Sequence, residues 1–248
     1  MTSHRALDIG LALTMVASTA CMGLSMNVRP RVVEEGKIRL GVGQGFTRDV
    51  ARDFAYAKPT TEESVAPSSA FLSELSVFYG VSKNMDMGVR VRPAARGMKL
   101  EWQYQIFDPR GDAMGLAFGV GLDGFYRNKF TVDCQDHGCF YRRYGGVVAD
   151  LPVVVSRRTW HWMTLFVAAR PQYMFMMGEQ TYKADDGSFP TLKLKKTIEQ
   201  PIVGWTAGML FEWGIVRMLP QANGVTVRGP DGKYIHAIYP SLDFGFEF

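Results

Sequence analysis

The strongest constraint in this chain is an alternation of period two. Residues 98–107 read Met-Lys-Leu-Glu-Trp-Gln-Tyr-Gln-Ile-Phe. Leu100, Trp102, Tyr104 and Ile106 fall on one side of an extended strand, and Lys99, Glu101, Gln103 and Gln105 on the other. Successive side chains of a strand point to opposite faces, so this stretch has one apolar and one polar surface. Residues 85–93 set Met85, Met87, Val89 and Val91 against Asp86, Gly88, Arg90 and Arg92. Residues 113–126 set Met114, Leu116, Phe118, Val120 and Leu122 against small residues and Asp123. Weaker alternation marks 37–46, 70–82, 144–156, 160–176, 198–213, 215–228 and 233–248. Helical periodicity is nearly absent after residue 21. The pattern predicts an all-β protein of ten antiparallel strands, with eight or twelve as the alternatives.

Composition narrows the class. The 248 residues are 47% hydrophobic and 21% charged, which is too apolar for a disordered chain. Beyond the N-terminus, the chain lacks the run of about 18 apolar residues that a spanning helix needs. The net charge of +4 is spread along the chain and gives no basic footprint for nucleic acid.

Turn signals separate the strands at Ser82-Lys83-Asn84, Ala94-Ala95-Arg96-Gly97, Asp108-Pro109-Arg110-Gly111-Asp112, Ser156-Arg157-Arg158-Thr159 and Gly229-Pro230-Asp231-Gly232. Long connections (47–69, 127–143, 177–197) alternate with short ones (82–85, 108–112, 156–159 and near 214). The connection at 94–97 is short where a long one is due, and 229–232 is only moderately short. Long loops at one end and tight turns at the other characterise a transmembrane barrel.

The last ten residues carry the most specific signal. In Tyr-Pro-Ser-Leu-Asp-Phe-Gly-Phe-Glu-Phe, the side chains of Leu242, Phe244, Phe246 and Phe248 share one face. In water such a strand is an aggregation hazard. In a bilayer it is the required outer surface. Here the chain resembles bacterial outer-membrane β-barrels, whose closing strand alternates hydrophobics and ends in an aromatic residue that the barrel assembly machinery reads. The resemblance covers residue 37 onward. It implies an antiparallel up-and-down transmembrane β-barrel in the outer membrane, in contact with outer-membrane lipid and lipopolysaccharide, and monomeric.

A barrel assigns the two faces. Leu40, Val77, Tyr79, Trp102, Tyr104, Phe118, Leu165, Trp205, Phe211, Trp213, Phe244 and Phe246 point outward, with Trp160, Trp162, Tyr173, Trp213 and Phe248 near strand ends, where aromatic girdles sit. Arg39, Arg90, Arg92, Lys99, Arg170 and Arg217 point inward with Glu74, Asp86, Glu101, Asp123, Asp150, Glu212, Asp243 and Glu247. A ten-strand lumen is little wider than its side chains. These charges are therefore expected to pair as a structural polar filling, ahead of a selectivity filter, because an unpaired buried charge is costly. The Gly and Ala of 113–121 leave room for a thin water path on one side.

The N-terminus reads as an export signal over 1–20, with a basic His4-Arg5, an apolar Ile9–Ala17 and a small-residue Ser18-Thr19-Ala20, interrupted by Asp8. Cys21 follows directly and resembles an acylated lipobox cysteine, although Ser18 stands where Leu or Val is usual. Plain cleavage is the competing reading. Residues 21–36 are then an N-terminal extension, and 37–248 the barrel. Cys134 and Cys139, four residues apart in a polar segment, read as a disulfide in an oxidising compartment. The weaker alternative is a metal site with His137 and Asp133 or Asp136.

Catalytic signatures are sparse. Ser156 and His161 flank one expected turn, His236 sits in the last strand, and Asp185-Asp186 sits in a polar loop. A nucleophile needs its base in hydrogen-bond reach and a third group to orient it, and the spacing shows no such triad. The expectation is a non-enzymatic outer-membrane barrel without cofactor or metal, either structural and surface-exposed or a small-solute channel. The alternatives are a barrel enzyme acting on lipid or lipopolysaccharide, and a soluble periplasmic ligand-binding barrel.

Overall fold

The computed structural model describes residues 27–48, 69–93, 96–111, 114–135, 138–184, 192–228 and 234–248. The expected export signal, Cys21, His137 and Asp185-Asp186 lie outside them, as do the side chains of Cys134 and Cys139. Eleven strand segments follow: β1 (Ile38–Arg48), β2 (Ser69–Ser82), β3 (Met85–Arg92), β4 (Gly97–Phe107), β5 (Gly115–Gln135), β6 (Gly138–Asp150), β7 (Val153–Trp160), β8 (Met163–Ala184), β9 (Leu192–Trp213), β10 (Val216–Arg228) and β11 (Tyr234–Glu247). They form one antiparallel sheet in the order β4-β3-β2-β1-β11-β10-β9-β8-β6-β5-β7. Pairing of β4 with β5 closes it into a barrel. First and last strands meet through Ile38 N–H to the Phe248 carbonyl at 2.9 Å and Phe248 N–H to the Ile38 carbonyl at 3.0 Å.

The barrel has ten staves, because β6 and β7 are one stave interrupted at Leu151-Pro152. Asp150 pairs with Gly121 and Gln172, and Val153 with Phe118 and Ala169, so both segments lie between β5 and β8. Pro152 has no N–H to give, but its carbonyl accepts from Gly119 N–H at 2.8 Å while Leu151 N–H donates to the Pro171 carbonyl at 3.0 Å.

Two sequence expectations need correction. The turn expected at 156–159 lies at His161-Trp162, and Ser156, Arg157 and Arg158 stay in register with Phe166, Leu165 and Thr164. Ser156 faces inward and Arg157 outward, so a polar run is compatible with the strand there. The long loops expected at 127–143 and 177–197 are mostly strand, since β5 continues to Gln135 and β8 to Ala184. There β5, β6, β8 and β9 continue side by side, β6 paired to β8 as far as Gly138–Ala184 and β8 to β9 as far as Tyr182–Leu192.

Outside, the staves carry a continuous apolar band. On β4 it runs through Met98, Leu100, Trp102, Tyr104 and Ile106, all exposed, while Lys99, Gln103 and Gln105 between them are buried inside. On β11 it runs through Leu242, Phe244, Phe246 and Phe248. At the short-turn end Trp160, Trp162, Phe211 and Trp213 stack, with the Trp160–Trp162 centroids 5.6 Å apart and those of Phe211–Trp213 5.6 Å. At the opposite, hairpin end the band stops below exposed Arg143, paired with Glu179 at 3.4 Å, and exposed Lys193, Lys195 and Glu199.

Candidate functional site: the plugged lumen

The interior is filled by the chain's own N-terminal segment, residues 27–36. It enters at the short-turn end and climbs inside the wall to the level of Gly43. Asn27, Val28, Arg29, Arg31, Val32 and Val33 are all buried. The segment belongs to no strand apart from one bridge between Glu35 and Gly80, so its backbone groups need partners from wall side chains. Three amides, a carboxylate and a hydroxyl receive or give these bonds. Val28 N–H donates to Gln221 at 3.0 Å, Val32 N–H to Gln105 at 3.0 Å and Val33 N–H to Asp86 at 2.7 Å. Gln103 Nε2 donates to the Arg29 carbonyl at 3.2 Å, and the Ser156 hydroxyl to the Pro30 carbonyl at 3.3 Å.

Two glycines make room. A Cβ on Gly80 would strike the backbone carbonyls of Val33 and Glu34, and one on Gly43 would reach within 2.6 Å of Asn27 Nδ2. Val28 packs below, in a buried cluster with Val154, Phe166, Ala168, Leu210 and Leu219. Above the segment a second apolar cluster, including Phe125, Tyr144, Val148, Met174 and Met176, spans the hairpin half of the lumen.

The inward charges form a balanced network. Arg90 lies 2.8 Å from Glu101, 3.3 Å from Asp243 and 3.7 Å from Glu74. Arg39 reaches Asp243 at 3.1 Å, Lys99 bridges Glu101 and Asp150 at 2.7 Å each, and Arg170 reaches Asp150 at 2.5 Å. Arg92 pairs with Asp123, and Arg217 with Glu212 at 3.2 Å. The segment supplies the rest. Arg29 grips Asp86 with both guanidinium nitrogens, Nη2 to Oδ1 at 3.0 Å, and lies over the Phe78 ring at 3.6 Å. Arg31 Nε donates to Glu212 at 3.0 Å and lies 3.6 Å from Glu247. Among the described residues, eight buried or half-buried carboxylates thus face eight cations, six from the wall and two from the segment.

Sequence reasoning placed the wall charges but missed Arg29, Arg31 and the amides Gln105 and Gln221 as anchors. The available signal was numerical. The inward wall set carries two more carboxylates than cations, and Arg29-Pro30-Arg31 supplies the difference.

A latch secures the segment at the short-turn mouth. Arg110, in the β4–β5 turn, pairs with Glu34 and with Asp108 at 2.6 Å, while Lys37 Nζ lies 2.6 Å from Glu34. The Lys37 hydrogen bond, helped by the Arg110 charge, holds the Glu34 carboxyl below its ordinary value. Burial pushes Asp108 up, but the hydrogen bonds and charge of Arg110 outweigh it, so Asp108 also sits below the usual carboxylate range.

Little space remains beside the segment. Two cavities of about 20 and about 10 Å³ flank Asn27, each large enough for one water. The Asn27 carbonyl oxygen and Glu74 Oε1, both buried without a hydrogen bond among the described residues, border this region. Of the residues weighed for catalysis, Ser156 is buried against Pro30, His161 is exposed in its turn, and His236 faces outward in contact with Thr226 at 2.8 Å. Cys134 and Cys139 are register partners in the β5–β6 ladder.

The molecule is therefore a closed antiparallel β-barrel with an apolar exterior and a lumen filled from within. No family model and no curated protein matches the chain. Similar solved structures are bacterial outer-membrane barrels. The protease OmpT of Escherichia coli is 7% identical over 91% of this chain and 98% of its own, with a TM-score of 0.44. The attachment invasion locus protein Ail of Yersinia pestis, solved with the heparin analogue sucrose octasulfate, is 13% identical over 86% and 99%, with a TM-score of 0.30. The outer-membrane channel DcaP of Acinetobacter baumannii is 7% identical over 91% and 100%, with a TM-score of 0.25.

Proposed function

We propose that this chain is an integral outer-membrane barrel of the bacterial envelope, non-enzymatic, structural and surface-exposed, whose lumen is sealed by residues 27–36. The apolar band supports the membrane placement. Its run on β4, Met98 to Ile106, matches the about 9–11 residues a tilted strand needs to cross the apolar layer. In water the same band would be a contiguous sticky surface far beyond what a soluble barrel tolerates. The single observation that carries the sealed state is the threading of Arg29 and Arg31 into the lumen, where they complete the charge balance.

A second reading, a small-solute channel opened by withdrawal of the segment, is favoured by that same balance. Without Arg29 and Arg31 the wall keeps two excess carboxylates, a water-attracting and cation-preferring lining.

The test uses the full chain refolded into bilayers containing brominated acyl chains. Trp102 and Trp205, outward in mid-band, are expected to be quenched while the bilayer carries no stepwise current. Unquenched tryptophans would overturn the membrane placement, and steady current steps would overturn the seal.

A further inference from the structure

The long strands leave an edge. β9 pairs with β10 only as far as Val203–Thr226, and the β10–β11 ladder has its last pair at Arg228–Tyr234. β9 itself runs on to Leu192, in unbroken register with β8 over its whole length. Over 192–200, β8 is therefore its one ladder partner among the described residues. Alternate residues of such an edge hold out backbone N–H and C=O groups, a template for one more strand. The opposite edge of the same sheet, β5 beyond Arg127, is unlike it. Register shifts against β6 at Arg127/Phe130 and Thr131/Asp133 interrupt that strand, and bulges blunt an edge.

The side chains beside the β9 edge carry a pattern. Odd-numbered residues of β8 and β9 face outward, as Tyr173, Phe175, Val203 and Trp205 show. On this outer side Arg143 of β6, Glu179 of β8 and Lys195 of β9 form one cross-strand row. Arg143 lies 3.4 Å from Glu179, and Lys195, exposed, is the next position across. The row reads plus, minus, plus and stops at the edge. One step toward the hairpin tip, the row Tyr141, Thr181, Lys193 also ends on an exposed lysine. Opposite charges directly across strands are favourable and like charges unfavourable. Two lysines at successive outward positions thus disfavour a second copy of this edge and favour a strand with carboxylates at the same spacing.

We propose that residues 192–200 of β9 dock an extended acidic segment of another protein by strand addition, with two carboxylates, two residues apart, opposite Lys193 and Lys195. This deepens the surface-exposed reading above by giving that surface a partner. Backbone hydrogen bonds supply the hold, and the side chains choose the occupant. Exposed Thr197 and Glu199 continue the same face toward the membrane, where a neutral and then a basic residue of the partner would lie.

The test holds the full chain in nanodiscs of brominated phospholipid. It is titrated with a fluorescent peptide of alternating Thr and Val that carries Glu at two successive outward positions. Anisotropy should show saturable binding. A counterpart with Lys in place of Glu should bind about fivefold more weakly, since two exposed pairs together give about 1 kcal/mol. Lys193→Glu combined with Lys195→Glu should reverse that preference, heat-modifiable gel mobility verifying that the variant is a folded barrel. Backbone N-methylation along one edge of the Glu peptide should abolish binding, and along the other edge leave it intact, a comparison that needs no variant. Binding that survives both methylations marks a merely anionic contact and overturns strand addition. Loss with both, or a preference unmoved by charge reversal, overturns it too. Lipid quenching of Trp102 and Trp205 without peptide binding overturns the docking edge alone. Peptide binding by a chain whose tryptophans stay unquenched overturns the membrane placement alone.

Discussion

Arg29 and Asp86 form a two-pronged ion pair inside the barrel, joining the N-terminal segment to β3 across 57 residues of sequence. Asp86 is fully buried and also accepts the Val33 N–H, so the wall and the segment share one carboxylate. Removing Arg29 leaves that carboxylate buried without its cation, a loss of about 3–5 kcal/mol. Arg29→Ala is therefore expected to lower the unfolding midpoint of the refolded barrel by this amount, and Asp86→Asn added to it should return most of the loss. Equal stability of wild type and Arg29→Ala would contradict the pairing.

The latch gives the seal a dependence on pH. Glu34 and Asp108 both have carboxyls below their ordinary values of 4.5 and 3.8, so their stabilisation is complete above those values and is lost as pH falls through the lowered ones. Both groups are substantially exposed, so the effect is modest. Protease protection of the segment at the short-turn mouth should hold from neutrality down to the ordinary carboxylate range and weaken below it. Arg110→Ala should reduce protection at neutral pH and flatten the profile. An unchanged profile in that variant would remove the latch from the account.

Phe248 closes the barrel through two backbone bonds to Ile38 and presents its ring to the outer band. Replacing the ring with a carboxylate places a charge on the band's edge and deletes the terminal aromatic. Phe248→Asp should reduce the assembled, heat-modifiable form in cells and increase degradation. Normal levels of assembled protein would argue against a role for this residue in assembly.

Cys134 and Cys139 face each other in the β5–β6 ladder, where Cα atoms of partners lie about 4.5–5.5 Å apart, within disulfide range. Neither thiol is expected to label in the unreduced protein, and both should label after reduction. Labelling of either without reductant would count against the bridge.

The staves were legible because burial on one side and exposure on the other write a period of two, as Leu100 to Ile106 show. The seal was not. Residues 27–36 have no periodicity, and their partners are distant, with Val28 bonded to Gln221 across 193 residues. Only a completed barrel brings Gln105, Gln221 and Asp86 around one extended segment. The turn at His161-Trp162 was misplaced for a related reason. Ser156 to Thr159 look like turn chemistry, but Ser156 faces a polar lumen that local propensity does not report.

The most direct test compares ionic current through the chain with and without residues 27–35, both proteins carrying Phe125→Ala and Met176→Ala to thin the apolar cluster above the segment, each inserted in a planar bilayer. A lumen sealed by the segment predicts silence from the full chain and discrete, cation-preferring steps from the deletion, because the wall then carries two uncompensated carboxylates. Identical currents from the two proteins, whether silent or conducting, would contradict it.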